Sequence, residues 1–309
     1  MAFKNLMNNY FYGKQGKGDF TIENLPQNRR QLFGEVFKVR WSSLFGVNML
    51  YMIAWIPAIL WTLLNLTAIY NILVSGDASQ VESITGFIST WLMVLIPCIA
   101  ITGPFNAGVT YVLRNWARDE HSFVLSDFKD ALKANWKQSL VVSTISGILP
   151  FLMYVCFTFY GGMMSQNTLF AVPLALVLLI CIIWTLASTL MMPMLITYDL
   201  KLKDVIRNSV LLSLAKLPFS VLTRLLTLAI PALAFGLGML IPSIQMHIVM
   251  VLALLYFCYL VAFHKLITVS YANWLCETYM NPQIGAKTNI GLRPENWDDV
   301  QYIPQDDEE

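Results

Sequence analysis

Charge is scarce in this chain. Asp, Glu, Lys and Arg make up 13% of its 309 residues and apolar side chains 57%, a balance that would leave a soluble domain with more greasy surface than water tolerates. The bulk solvent is therefore expected to be lipid. Histidine is also sparse: His121, His247 and His264 stand apart, without the local spacing of a metal site. The five cysteines lack C-x-x-C spacing and read as small hydrophobes rather than disulfides or ligands. No nucleophile, base and orienting group form a recognisable constellation, so the chain is not expected to be an enzyme. No cofactor is implied either, because Gly13-Lys14-Gln15-Gly16-Lys17-Gly18 lacks the G-x-x-x-x-G-K-[ST] pattern of a phosphate loop and follows no strand. The first forty residues are polar and basic, without the apolar stretch and small-residue cleavage site of a removable signal, so the first apolar run is expected to stay attached.

Long apolar runs are what the chain has instead. Six stretches, 43–74, 84–116, 138–160, 169–198, 218–241 and 244–271, contain no acidic residue and reach the roughly 20 residues that a membrane helix requires. Lys and Arg sort them into an orientation, since basic residues near helix ends are retained on the cytoplasmic side. Basic residues occupy alternate connections: Arg29, Arg30, Lys38 and Arg40 before the first run, Arg114, Arg118, Lys129, Lys133 and Lys137 after the second, and Lys201, Lys203, Arg207 and Lys216 after the fourth. The other connections, 75–83, 161–168 and 242–243, have none and carry only Asp77 and Glu82. Both termini are thus expected in the cytoplasm, with the chain divided into a polar basic segment (1–32), a six-helix membrane domain (33–275) and a polar acidic tail (276–309).

A short pattern precedes each odd-numbered run: Glu35-Val36-Phe37-Lys38, Asp130-Ala131-Leu132-Lys133 and Asp204-Val205-Ile206-Arg207. Apolar positions around it fall at helical spacing, as in Phe33, Val36, Phe37 and Trp41 or Phe128, Ala131, Leu132 and Trp136. A charged helix with one apolar stripe next to a span is expected to lie at the cytoplasmic interface before the chain turns into the bilayer. The expected fold is all-α: six transmembrane helices with three interfacial helices, arranged as a threefold repeat of interfacial helix plus hairpin. Carboxylates also favour helix N-termini generally, and Val210 in the third unit replaces the Trp41 and Trp136 of the first two. Candidate interfacial positions are Trp41, Trp136, Asp130, Lys133, Asp204 and Arg207; tryptophans there read as anchors at headgroup depth.

Gly103-Pro104-Phe105-Asn106-Ala107-Gly108, Arg114-Asn115-Trp116-Ala117-Arg118, Ser126-Asp127-Phe128 and Asn135-Trp136-Lys137-Gln138-Ser139 carry a resemblance to the YesL-like family of bacterial membrane proteins. A second stretch, 194–218, with Tyr198-Asp199-Leu200, is similar to another characteristic part of that family, and the likeness extends over about 33–221. The resemblance implies no known activity and no catalytic residues. It implies an association with carbohydrate uptake and polysaccharide use.

Proton-coupled transporters place Asp, Glu or His inside the membrane, and the acidic residues here fall outside the six runs. Arg224 is the one strong charge expected at depth, as part of an anion path or a structural partner, unless its side chain snorkels to the cytoplasmic interface; His264 and Lys265 read as residues of the inner boundary. Asn48, Asn65, Asn106, Thr110, Ser188 and Thr189 either line a polar path or bond neighbouring helices. An E-A-A coupling segment of an ATP-driven importer finds only an echo in Asp130-Ala131-Leu132, with Trp136 where its glycine belongs. The expectation is a non-enzymatic accessory protein in contact with the lipid bilayer and with sugar importer subunits, not with nucleic acid; the alternative is a transporter or channel for a small polar solute.

Overall fold

The computed structural model of the protein describes residues 25–75 and 84–293. The Gly13–Gly18 segment, Asp77, Glu82 and the last sixteen residues of the acidic tail lie outside them. Among the described residues the regular structure is helical, without strands: α1 (Arg29–Ser75), α2 (Ile84–Trp116), α3 (Val124–Met164), α4 (Ala171–Thr197), α5 (Leu202–Ala215), α6 (Leu217–Leu240), α7 (Gln245–Leu255) and α8 (Val261–Tyr279). A single π-helical turn, Tyr256–Leu260, joins α7 to α8 without a break. Counting that composite as one, six helices are long and apolar enough to cross a membrane, and the protein is a polytopic helical bundle.

The helices alternate in direction, so that one end of the bundle collects the basic connections. Arg29 before the first span and Arg118 after the second both reach Glu277 near the end of α8. Tyr198 after α4 donates to Asn281 Oδ1 at 2.6 Å, and Lys216 between α5 and α6 lies 5.0 Å over the Tyr279 ring. We refer to this as the basic end. Residues 277–293 fold back over it rather than trailing away: Ile290 N donates to Glu277 Oε2 at 3.1 Å, Arg29 donates to Ile290 O at 2.9 Å, and Arg293 N donates to Pro26 O at 2.9 Å.

The amphipathic stretches depart from the expected interfacial helices. In the first two units they do not turn: α1 and α3 are single helices of 47 and 41 residues, about 70 and 60 Å long at 1.5 Å per residue against a hydrocarbon core of about 30 Å. Only the third unit has a separate helix, α5, and the reason is local. Pro218 is the second residue of α6, and a proline interrupts the ladder and restricts the residue before it. The first two units have no proline at the corresponding place. The apolar stripes also face protein rather than lipid. Leu32, Val36 and Phe128 join Val112, Leu113 and Trp116 in one buried cluster, and Val205 joins Leu190, Met194 and Leu275 in another. Trp41 and Trp136 remain exposed.

Both clusters lie in the basic half of the bundle. Toward the opposite end the helices present Leu, Ile, Val and Phe outward, and α7 has no buried residue. Lipid tails are as apolar as leucine, so burying such residues against one another gains little in a bilayer. Close helix contact comes instead from small residues. A Cβ on Gly103 would overlap the Ser139 carbonyl oxygen, one on Gly108 would lie 2.6 Å from the Phe128 ring, and one on Gly147 would lie 3.3 Å from Ile96. These three glycines let α2 and α3 pack closely along much of their length.

A polar cavity between the helices

In the basic half of the span a cavity of about 520 Å³ opens between α1, α2, α3, α4, α6 and α8. Its wall is mixed: among apolar residues such as Ile99, Val142, Met192, Leu228 and Val269 stand Thr102, Asn106 and Thr110 from α2, Ser143 and Ser146 from α3, Ser188 and Thr189 from α4, and Arg224 and Thr227 from α6. From α8 come His264, Lys265 and Thr268. Among the described lining residues there is no carboxylate.

Helix geometry explains how two cations reach this depth. Arg224 is seven residues into α6 and Lys265 fourteen residues before the end of α8, about 10 and 20 Å along their axes from the basic end. Arg224 is tied to α4: its Nε and Nη2 donate to Thr185 O at 2.9 and 2.5 Å, and Nη2 donates to Ser188 Oγ at 2.6 Å. Lys265 Nζ donates to Asn106 Oδ1 and sits 5.0 Å over the Tyr51 ring. Thr110 Oγ1 donates to the same Asn106 oxygen at 3.1 Å. Every acceptor serving the two cations is neutral. His264 Nε2 and Trp55 Nε1, both from lining residues, are buried without a hydrogen-bond partner.

Two further spaces adjoin the cavity. One of about 390 Å³ lies between α3 and α4, lined by Pro150, Met153, Cys181 and Trp184, and shares Ser146, Ser188 and Arg224 with it. The other is an apolar groove of about 1020 Å³ between α1 and α7, sharing Trp55, Tyr256 and Val261.

The residues singled out from sequence divide accordingly. Arg224, Asn106, Thr110, Ser188 and Thr189 meet at the cavity. Asn65 does not: its Nδ2 bonds Trp61 O one turn back in the same helix, at 2.8 Å. Nor does Asn48, which is fully buried against the π-turn, donating to Tyr256 O and Phe257 O at 3.2 and 2.6 Å and accepting from Ala262 N at 2.8 Å. Trp41, Trp136, Asp130, Lys133 and Arg207 are exposed on the basic half and do not line the cavity, nor does the partly covered Asp204. Two expectations need correction. Lys265 is not at the boundary but inside, and His264 lines the same space. Both fall within the apolar run 244–271, and Asn106 of α2 and the Tyr51 ring of α1 hold the Lys265 head group inside the bundle.

The motif residues of the α2–α3 hairpin are mainly structural. Gly103 and Gly108 allow close packing, and Phe128 caps Gly108. Asp127 accepts from Phe123 N at 2.9 Å and Ser122 Oγ at 2.6 Å, closing the first turn of α3. Asn106 alone among them reaches into the cavity.

The fold and this site define a multi-pass membrane protein with a polar chamber between its helices. A family model described as a protein of unknown function, DUF624, matches residues 44–157. That segment spans most of α1, all of α2 and most of α3, including Asn106, and excludes Arg224 and Lys265. No curated protein and no solved structure matches the chain.

Proposed function

We propose that this protein binds a small polar solute inside the membrane and carries it across, without covalent chemistry of its own, in a bacterial cytoplasmic membrane with the basic end and both termini in the cytoplasm. One observation carries the reading: a 520 Å³ chamber lined by hydroxyls, an amide, an imidazole and two cations at membrane depth. Polar groups are expensive in hydrocarbon and mark pathways by default, and a site between helices of a bundle is where ligands are usually held. The second space along α3 and α4 adjoins the chamber at Ser146, Ser188 and Arg224 and continues between mainly apolar side chains, Leu149, Pro150, Met153 and Trp184. Prolines Pro104, Pro150 and Pro193 in the surrounding helices allow the bending that passage across the bilayer needs.

The accessory reading draws on the YesL-like resemblance and on the exposed Trp136, Asp130 and Lys133 of α3, a surface on which subunits of a sugar importer could dock. Proteoliposomes separate the two. Purified protein should take up labelled polar solute, tested with a panel of sugars and sugar acids, and Thr268→Phe, which fills the chamber, should abolish flux without altering elution in detergent. Absence of flux for the whole panel, with importer subunits retained in a pull-down, would replace the transporter reading with the accessory one.

A further inference from the structure

We infer that the solute is an anion, held through a carboxylate or phosphate group by Lys265 and Arg224. This rests on the chamber being a solute site and adds the sign of the charge it selects. Lys265 and Arg224 both line a single space that contains no carboxylate among its described residues. The ion pairs among the described residues, Arg29–Glu277 and Arg118–Glu277, belong to the basic end and offer neither cation a counter-charge. Asn106, Thr185 and Ser188 fix the direction of the two head groups, but a neutral acceptor does not cancel a charge. Two like charges facing one chamber of low dielectric repel each other and have lost most of their hydration. An anion between them reverses both costs at once.

The remaining lining fits the same ligand. The Ser143 hydroxyl can turn to donate, whereas those of Thr110 and Thr189 already donate to Asn106 Oδ1 and Leu186 O; His264 Nε2 and Trp55 Nε1 are the buried, unpartnered nitrogens of the wall. An arginine donating through Nε and Nη2 to α4 still has Nη1 to offer, and charge-assisted bonds of this kind are the strong ones. The anionic group can arrive on a water-soluble molecule or as the head of a lipid, since the apolar groove shares Trp55, Tyr256 and Val261 with the chamber.

Thermal unfolding and ligand titration of the full chain test this in two arms at fixed ionic strength. In maltoside micelles the probes are inorganic phosphate, glucuronate and neutral glucose. In nanodiscs they are phosphatidylcholine alone or with phosphatidylglycerol. Glucuronate or phosphate should raise the Tm and glucose should not, if the anion is soluble; phosphatidylglycerol should do so instead if it is a lipid head. In either arm Lys265→Met should weaken the response by roughly 30-fold or more, the usual consequence of removing one partner of a desolvated charge contact. The same variant should unfold no earlier than wild type without ligand, because it removes an uncompensated buried charge; Arg224→Leu gives an independent check of the weakened response. Glucose binding as tightly as glucuronate, indifferent to Lys265→Met, would overturn the anion and leave the solute site standing. No response to any probe in either arm would overturn both.

Discussion

Gly108 and Phe128 show how single residues fix the α2–α3 hairpin. Phe128 is 7% exposed and its own backbone carbonyl would lie 2.8 Å from an added Cβ, so the ring cannot simply swing aside. Gly108→Ala should therefore destabilise the protein by about 1–3 kcal/mol, the usual penalty for overpacking, read as a lower Tm in detergent. Gly161→Ala in the same hairpin is the control. Nothing lies within 4 Å of a Cβ there, and replacing a helical glycine should be neutral or gain up to about 1 kcal/mol. An equal loss at both positions would mean that helix contact in this hairpin does not depend on close approach. Glu277 acts at the same scale but electrostatically: at 3% exposed it faces Arg29 and Arg118 from two different connections, joining the start of α1, the end of α2 and the end of α8. Such a contact is invisible to spacing rules, since its members are up to 248 positions apart.

Among the elements, the π-turn Tyr256–Leu260 governs the chamber. One extra residue in a helix rotates everything after it by about 100°, given 3.6 residues per turn, and His264 and Lys265 follow directly. The turn persists because Asn48 supplies partners on both sides, donating to two of its carbonyls and accepting from Ala262 N, where the bilayer offers no water. Asn48→Leu should cost about 1–3 kcal/mol of stability, the range for stranding buried polar groups, and should also blunt the anion response by rotating Lys265 away. Lost stability with an unchanged response would show that the π-turn does not set the chamber. This element also marks where legibility ended. The six spans, the deep Arg224 and a set of intramembrane polar residues, Asn48, Asn65, Asn106, Thr110, Ser188 and Thr189, could be read from hydropathy and residue type, but not which four of those six share the chamber. The π-turn could not, because 256–260 is uniformly apolar or aromatic and its cause lies some 200 residues away in α1. Lys265 is illegible for a related reason: the groups that hold it inside the bundle, Asn106 and the Tyr51 ring, lie in other helices, Asn106 being 159 positions away. Pro218, by contrast, was a readable signal for the break between α5 and α6.

For the whole molecule, function depends on which side of the membrane each end occupies. Buried clusters and ion pairs concentrate at the basic end, and the chamber sits in that half; the other half presents apolar side chains outward. Positive side chains are retained on the cytoplasmic side and are drawn there by anionic lipid, at about 1 kcal/mol per Lys or Arg near the surface. With Arg30, Lys38, Lys129, Lys133, Lys137, Lys201, Lys203 and Arg207 all toward the basic end, most of them in the helical stretches that lead into the spans, threading in the opposite sense would forfeit that attraction many times over. Gln166 is exposed in the turn between α3 and α4, at the far end from exposed Lys133 in the same long helix hairpin. An impermeant maleimide applied to intact cells should therefore modify Gln166→Cys, and should modify Lys133→Cys only after permeabilisation, with the wild-type chain as the blank for its five cysteines. The reverse pattern would put the chamber in the outer half of the bilayer, so that an anion would meet Lys265 and Arg224 early on entry from outside rather than after crossing the apolar half. That difference sets the direction in which the two cations hold the solute against the membrane potential.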